Sequence, residues 1–201
     1  LRDKVKENNI DPIVADVLWK IMSDSANYQF AEVHAVAYSM LTYATMWLKF
    51  NHPQQFFLSL LKMAKNEQDP LAEISKITPE LALFNIRLLP PDLIKSKNDF
   101  SIEGANIRFG LNAIKNISEK TSEALSTFRG KTYSNKFEVF TEAKEEGLNI
   151  GNLCALIQAG CLDSFGTERS LLQLEAQTFN QLNVKEKTYI LGYGQAFNYY
   201  I

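Results

Sequence analysis

Histidine and cysteine are scarce, with two of each in 201 residues. Cys154 and Cys161 form no metal-ligand motif, and two thiols at this density do not suggest a disulfide framework. They read as buried, reduced side chains that behave as small hydrophobes. Neither sign of charge is in excess. The 21 Lys and Arg against 23 Asp and Glu leave a net charge of −2 and a pI near 5.8, which excludes a strong global field aimed at a polyanion. The basic and acidic residues are also mixed locally. Between Arg108 and Glu175, the eight cations Arg108, Lys115, Lys120, Arg129, Lys131, Lys136, Lys144 and Arg169 face nine acids. No basic segment precedes an apolar run at the start, so no signal peptide is expected. The opening LRDKVKENN reads as the tail of a helix, and the chain is expected to be a piece of a longer protein. Nucleophile elbow, Walker loop, GxGxxG and HExxH are all missing, as is an Asp-x-Asp pair to hold two metal ions. These absences argue against a self-sufficient enzyme, and no catalytic or metal-ligating residue is assigned.

What is present is a helical pattern. Asp11 and Pro12 signal a helix start, with Ile13, Val17, Leu18 and Ile21 at helical spacing. The polar SDSANYQFAE is expected to break it. A second helix is expected from about Val33 to His52. It is apolar all round, through Val36, Met40, Tyr43, Trp47 and Phe50 on one side and Ala37, Tyr38, Leu41, Ala44 and Leu48 on the other. Such a helix is either buried or in a membrane. Its least polar stretch, Val33 to Leu48, falls short of the roughly 20 residues a span needs. It also carries His34, Ser39, Thr42 and Thr45. The pattern therefore predicts the buried central helix of a soluble helical domain. His34 at its start has two readings: a hydrogen-bonded core histidine, or a polar group at a helix mouth facing an anionic ligand. His52 reads as a helix-end cap.

A third helix restarts at Pro53 with Phe56, Phe57, Leu60, Leu61 and Met63 inward. Two shorter helices, DPLAEISK and PELALF, are expected to be separated by Pro79. The double proline of RLLPPD forces extended backbone. DFSIEGANIRFG predicts a β-hairpin about Gly104, with Phe100, Ile102, Ile107 and Phe109 as its apolar positions. Helices are then expected over Glu119 to Phe128, Asn135 to Glu146, Gly151 to Ala159 and Thr167 to about Leu182. The final KTYILGYGQAFNYYI reads as a strand pair or a linker.

The stretch from Leu111 to Leu182 looks doubled. LNAIKNISEKTSEALSTF and LCALIQAGCLDSFGTERSLLQL each read as short helix, tight turn, longer helix. In a helix-hairpin-helix unit, the turn presents backbone N–H groups at a helix N-terminus to a phosphate oxygen, without reading a base. The second unit has Gly160 and Gly166 in its turn. The first has KNIS, where Asn116 tolerates the left-handed conformation and Ser118 does so less readily. The alternative is that both turns merely pack helices.

Several ordered motifs resemble bacterial C-family replicative DNA polymerase III alpha subunits. YQFAEVHAVAYSMLTYATMWLKFNHPQQFFLSLL is similar to that family's Y-x-F-N-K-S-H-A-x-A-Y followed by WLK-x-x-x-P-x-x-F. LLPPD, IRFGLNAIKNIS and LIQAGCLDSFGTERSLL follow in the family's order, and the likeness runs over about residues 1–182. The resemblance implies a mainly α fold: a helical fingers subdomain, a short β-hairpin, then a tandem helix-hairpin-helix domain. It divides the chain into the end of the fingers (1–90), a linker with the hairpin (91–110), the helix-hairpin-helix domain (111–182), and a linker or start of another domain (183–201). It implies that Phe30, His34 and Tyr38 line the incoming-nucleotide side, and that Lys115, Asn116, Ser118, Gly160 and Arg169 contact duplex DNA phosphates non-specifically. It further implies a deoxynucleoside triphosphate and Mg²⁺ for the parent nucleotidyltransferase, with the metal held outside this stretch. A nearby sliding-clamp contact and a cytoplasmic setting with no membrane complete the picture.

The departures from that pattern all remove positive charge or close backbone approach. Ala31, Glu32 and Val33 replace Asn, Lys and Ser. Asn116 and Ser118 replace glycines, Ile150 and Gly151 stand where arginines are common, and Gln158 stands where Lys is. Lost phosphate contacts weaken non-specific DNA binding. Two functions therefore stay open: part of a replicative polymerase, or a non-catalytic module of the same fold that binds a protein. A helix-hairpin-helix repair enzyme leaves the first half without a role.

Overall fold

The computed structural model describes residues 2–29 and 32–193. It divides into two compact units, Leu1–His52 and Pro53–Ile201. In the first unit, α1 (Arg2–Glu7) packs on α2 (Pro12–Gln29), with Val5 and Ala15 buried. Asp11 opens α2 as expected, its carboxylate accepting from the Ile13 amide at 2.9 Å. The helix does not stop at SDSANYQ but runs to Gln29. Polarity alone does not end a helix, and that stretch contains no Gly or Pro to do so.

The next helix, α3 (Glu32–Asn51), departs from expectation in its environment. None of its residues is buried; Val33, Met40 and Tyr43 are 80%, 69% and 74% exposed. Burial of an all-apolar helix needs covering layers on every side, and this unit supplies two other helices, in which Val5 and Ala15 are the only buried hydrophobics among the described residues. Among the described residues no helix is long and apolar enough to cross a membrane.

The second unit begins with α4 (Pro53–Ala64), which buries Phe57, Leu61 and Ala64. Phe56 and Leu60 pack at the margin, whereas Met63, expected inward, is 65% exposed. The two helices expected around Pro79 are one, α5 (Pro70–Leu83). Asp69 caps it through the Ala72 amide at 3.2 Å. Ile74 and Leu81 are buried on either side of Pro79, so packing holds the helix together across a residue that cannot donate a hydrogen bond.

The hairpin forms where the alternation placed it. Strands β2 (Ser101–Glu103) and β3 (Asn106–Arg108) pair antiparallel, with Ile102 opposite Ile107. Gly104 occupies the first turn position at φ +60°, as a two-residue hairpin loop requires. The extended segment before the double proline adds β1 (Leu88–Leu89), parallel to β3, in the order β1-β3-β2. Arg108 ties this sheet to the proline segment. Its Nε donates to Glu103 at 2.7 Å, its Nη2 to the same carboxylate at 2.5 Å, and its Nη1 to the Pro90 carbonyl at 2.8 Å. These hydrogen bonds hold the Glu103 carboxyl below its ordinary pKa. At Gly110, a Cβ would lie 2.5 Å from the Asp99 carbonyl carbon, so only glycine lets the chain turn there toward the helices.

After a 3-10 turn at Leu111–Ala113 come α6 (Glu119–Ala124), a 3-10 turn at Leu125–Phe128, α7 (Lys136–Glu145), α8 (Ile150–Ala159), a 3-10 turn at Asp163–Phe165, α9 (Arg169–Gln181) and α10 (Val184–Tyr193). They enclose a core that includes Leu111, Leu125, Phe128, Phe137, Leu156, Ile157, Leu172 and Phe179. A second core joins α4, α5 and the hairpin, and Phe109 packs against both. The Lys136 ammonium meets buried Glu175 at 2.5 Å, pinning the start of α7 to α9. The last helix corrects the expectation of a strand pair or linker at 187–193. Asn183 and Glu186 make reciprocal hydrogen bonds of 2.8 and 3.0 Å with each other's amides, a capping box that starts α10. Ile190 buries it against the core. The remaining residues of that expectation, 194–201, lie outside the described residues.

Candidate nucleic-acid interface

The first hairpin turn runs from Ile114 to Ser118. Ile114 and Ile117 are buried and anchor it, while Lys115, Asn116 and Ser118 between and beyond them are exposed. Alternation of this kind pushes one side of a tight turn into the core and leaves the other in solvent. Asn116 takes φ +69°, a left-handed conformation that Asn adopts more readily than most residues. Ser118 caps α6. Its Oγ accepts from the Thr121 amide at 3.2 Å and pairs with the Thr121 hydroxyl at 2.8 Å. The amides of Lys115, Asn116, Ser118, Glu119 and Lys120 have no acceptor among the described residues. Lys115 and Lys120 flank them, both exposed. The turn thus offers a run of open donors beside two cations and one acid, the exposed Glu119 at the first position of α6, and the open donors with the lysines suit a phosphate oxygen.

The second turn is closed. Gly160 ends α8 at φ +90° and is buried, its amide donating to Ile157 at 3.0 Å. The amides of Cys161, Asp163, Phe165 and Gly166 also donate within the chain, to Leu156, Gly160, Leu162 and Asp163. The Arg169 side chain lies across the turn. Its Nε and Nη2 donate to the two oxygens of Asp163 at 2.9 and 2.5 Å, and its Nη1 to the Gln158 carbonyl at 3.1 Å. The hydrogen bonds from Arg169 hold the Asp163 carboxyl below its usual range. A Cβ at position 160 would overlap the guanidinium and approach Asp163 Oδ2 to 2.8 Å. Gly160 is favoured by its left-handed φ, and any side chain there would also displace the Arg169 clamp. The start of α9 has open amides, yet the Glu168 carboxylate stands beside them, bonded to the Ser170 hydroxyl at 2.8 Å. Beneath the turn, burial pushes the Cys161 thiol up to about 12, and both cysteines are free thiols. Cys154 is only partly buried.

Of the residues singled out from sequence, Lys115, Asn116 and Ser118 come together on one exposed turn. Gly160 and Arg169 come together on the other, facing each other. His34 and Tyr38 sit one helical turn apart on α3 of the first unit, ring centroids 5.0 Å apart. Both are exposed, so the core-histidine reading of His34 does not hold. Phe30 lies outside the described residues. The sequence reading missed Asp163 as the partner of Arg169, and the acid six residues before the arginine was the available signal. It also missed Lys120, visible only once α6 is placed. Among the described residues no three His, Cys, Asp or Glu side chains gather to hold a metal.

Residues 85–172 match the family model of the helix-hairpin-helix motif. The DNA polymerase III subunit alpha of Thermus aquaticus is 33% identical over 169 residues, 83% of this chain and 14% of that protein. The chain is a relative of the DNA polymerase III alpha subunits. The same subunit of Deinococcus radiodurans is 31% identical over 170 residues, 84% of this chain and 12% of that protein. That of Chlamydia pneumoniae is 31% identical over 182 residues, 90% of this chain and 14% of its own length. The chain thus spans a small part of the polymerase subunits it matches. In that relationship the helix-hairpin-helix match takes in β1 to β3 and both turns, ending just inside α9.

Proposed function

We propose that the second unit grips duplex DNA through its backbone, as part of a replicative polymerase that carries out template-directed synthesis. The observation that carries this reading is the first turn: five amides, at residues 115, 116 and 118–120, without acceptors among the described residues and with Lys115 and Lys120 beside them. Donors of this kind hold a phosphate and ignore the base. Asn116 and Ser118 shape the turn. The second turn, at Gly160 and Arg169, braces α8 against α9. In the same reading His34, Tyr38 and Phe30 belong to the fingers and border the incoming deoxynucleoside triphosphate. In this reading the Mg²⁺ of the parent polymerase is held by residues outside this stretch. A sliding clamp is a partner of the parent polymerase in this reading.

A second reading rests on α3, whose apolar side chains are exposed along its whole length. Such a surface suits a protein partner, and a module that has lost DNA binding would keep it. A salt titration of blunt duplex DNA binding separates the two. Affinity that falls steeply and linearly in log–log form supports backbone binding. No measurable binding at low salt overturns it in favour of the protein-binding module.

A further inference from the structure

Beside the first turn lies a groove of about 380 Å³, lined by Leu71, Pro91, Phe109, Ile114, Lys115 and Asn116, and by Ala155, Gln158 and Ala159 of α8. The volume falls within the roughly 300–1,000 Å³ typical of small-molecule sites. Its lining is mostly apolar. The polar side chains are Lys115 and Asn116 of the turn and Gln158 of α8, and the amides of Lys115 and Asn116 have no acceptor among the described residues. Backbone phosphate binding at the turn makes no use of this cavity. Leu71 leaves over half of its surface exposed at the groove's edge, although α5 belongs to the other core of the unit.

We propose that the groove takes the base of one unpaired nucleotide of DNA, its phosphate held at the Lys115–Asn116 lip. The argument is charge and shape complementarity. A nucleotide is an apolar-faced ring with polar edges joined to an anion, and the site is a mostly apolar groove with the Gln158 amide on its α8 side and a cation and two open backbone amides at the turn. A paired base cannot enter, because its faces are covered by its neighbours in the stack. An unpaired one loses little stacking on leaving the duplex and gains contact with the walls. The inference rests on the backbone-binding reading and adds to it a preference for DNA that carries an unpaired end.

The test compares the 201-residue chain on a blunt duplex and on the same duplex with a single unpaired 2-aminopurine nucleotide at one 3′ end. The overhang is expected to tighten binding about tenfold, in line with the stacking of one base, and to change 2-aminopurine fluorescence. Leu71→Trp and Ala159→Leu fill the groove from two sides. Each should abolish the tenfold advantage and the fluorescence change while leaving blunt-duplex affinity unchanged. Leu71 is exposed, so its variant keeps the test meaningful even where Ala159→Leu perturbs folding. Equal binding of the two duplexes, or an advantage that survives both variants, overturns the groove proposal alone. Failure to bind either duplex overturns it together with the backbone-binding reading.

Discussion

At the first hairpin turn, Asn116 stands at φ +69° with Lys115 and Ser118 in solvent. At the second, Gly160 stands at φ +90°, buried under the guanidinium of Arg169. Both turns use a left-handed residue to reverse the chain between helices. They differ in where the hydrogen-bond donors go. The first directs the amides of Ile114 and Ile117 inward and leaves those of Lys115, Asn116 and Ser118 open beside two lysines, whereas the second directs five inward, has its open amides at the start of α9 beside Glu168, and pairs its one arginine with Asp163. A glycine in a hairpin turn is therefore no guide to which turn meets a ligand. Here the glycine makes room for a side chain of the same protein, and the turn without glycine is the accessible one.

The largest expected effect comes from Gly160→Ala. The left-handed backbone and the displaced Arg169–Asp163 pair together should cost about 2–3 kcal/mol, read as a lower urea midpoint. Asn116→Ala, at a similar φ but in open space, should cost about 1 kcal/mol or less. Equal losses at the two sites would erase the distinction between them. A smaller effect is expected from Asp163→Asn. It releases Arg169 toward solvent, so the log–log salt slope for duplex DNA should steepen by about one phosphate contact, near 0.9. An unchanged slope would mean that Arg169 cannot reach the backbone at all. The smallest effect is a pH dependence. The Asp163 carboxyl titrates below its unfolded value of about 3.9. The pair's stabilisation is therefore complete above roughly pH 5 and is lost as pH falls through the lower folded value. Both partners are about half exposed, so the loss should be a few tenths of a kcal/mol. It should appear as convergence of the urea midpoints of the wild type and Asp163→Asn as the pH falls below the ordinary carboxylate range.

Much of this fold was legible in the sequence because its signals are local. Asp11, Asp69, Asn135 and Asn149 each precede the helix they cap, and Gly104 marks the hairpin. The failures were of another kind. Pro79 reads as a breaker, and only the burial of Ile74 and Leu81 on both sides shows why the helix survives it. The all-apolar α3 reads as buried, but periodicity cannot say whether covering layers exist. The capping box of Asn183 and Glu186 was readable and was masked by the aromatic residues after it. At the candidate site, the residue types and spacing pointed to both turns equally. Which amides stay open depends on the backbone path of each turn, and whether the arginine is free depends on Asp163 meeting Arg169.

The central claim, that the first turn rather than the second holds the DNA backbone, is tested most directly by salt titration of blunt duplex binding with Lys115→Ala and Arg169→Ala side by side. Lys115→Ala is expected to lower the slope by about 0.9, and Arg169→Ala to leave it unchanged. A slope lowered by Arg169→Ala and untouched by Lys115→Ala would contradict it.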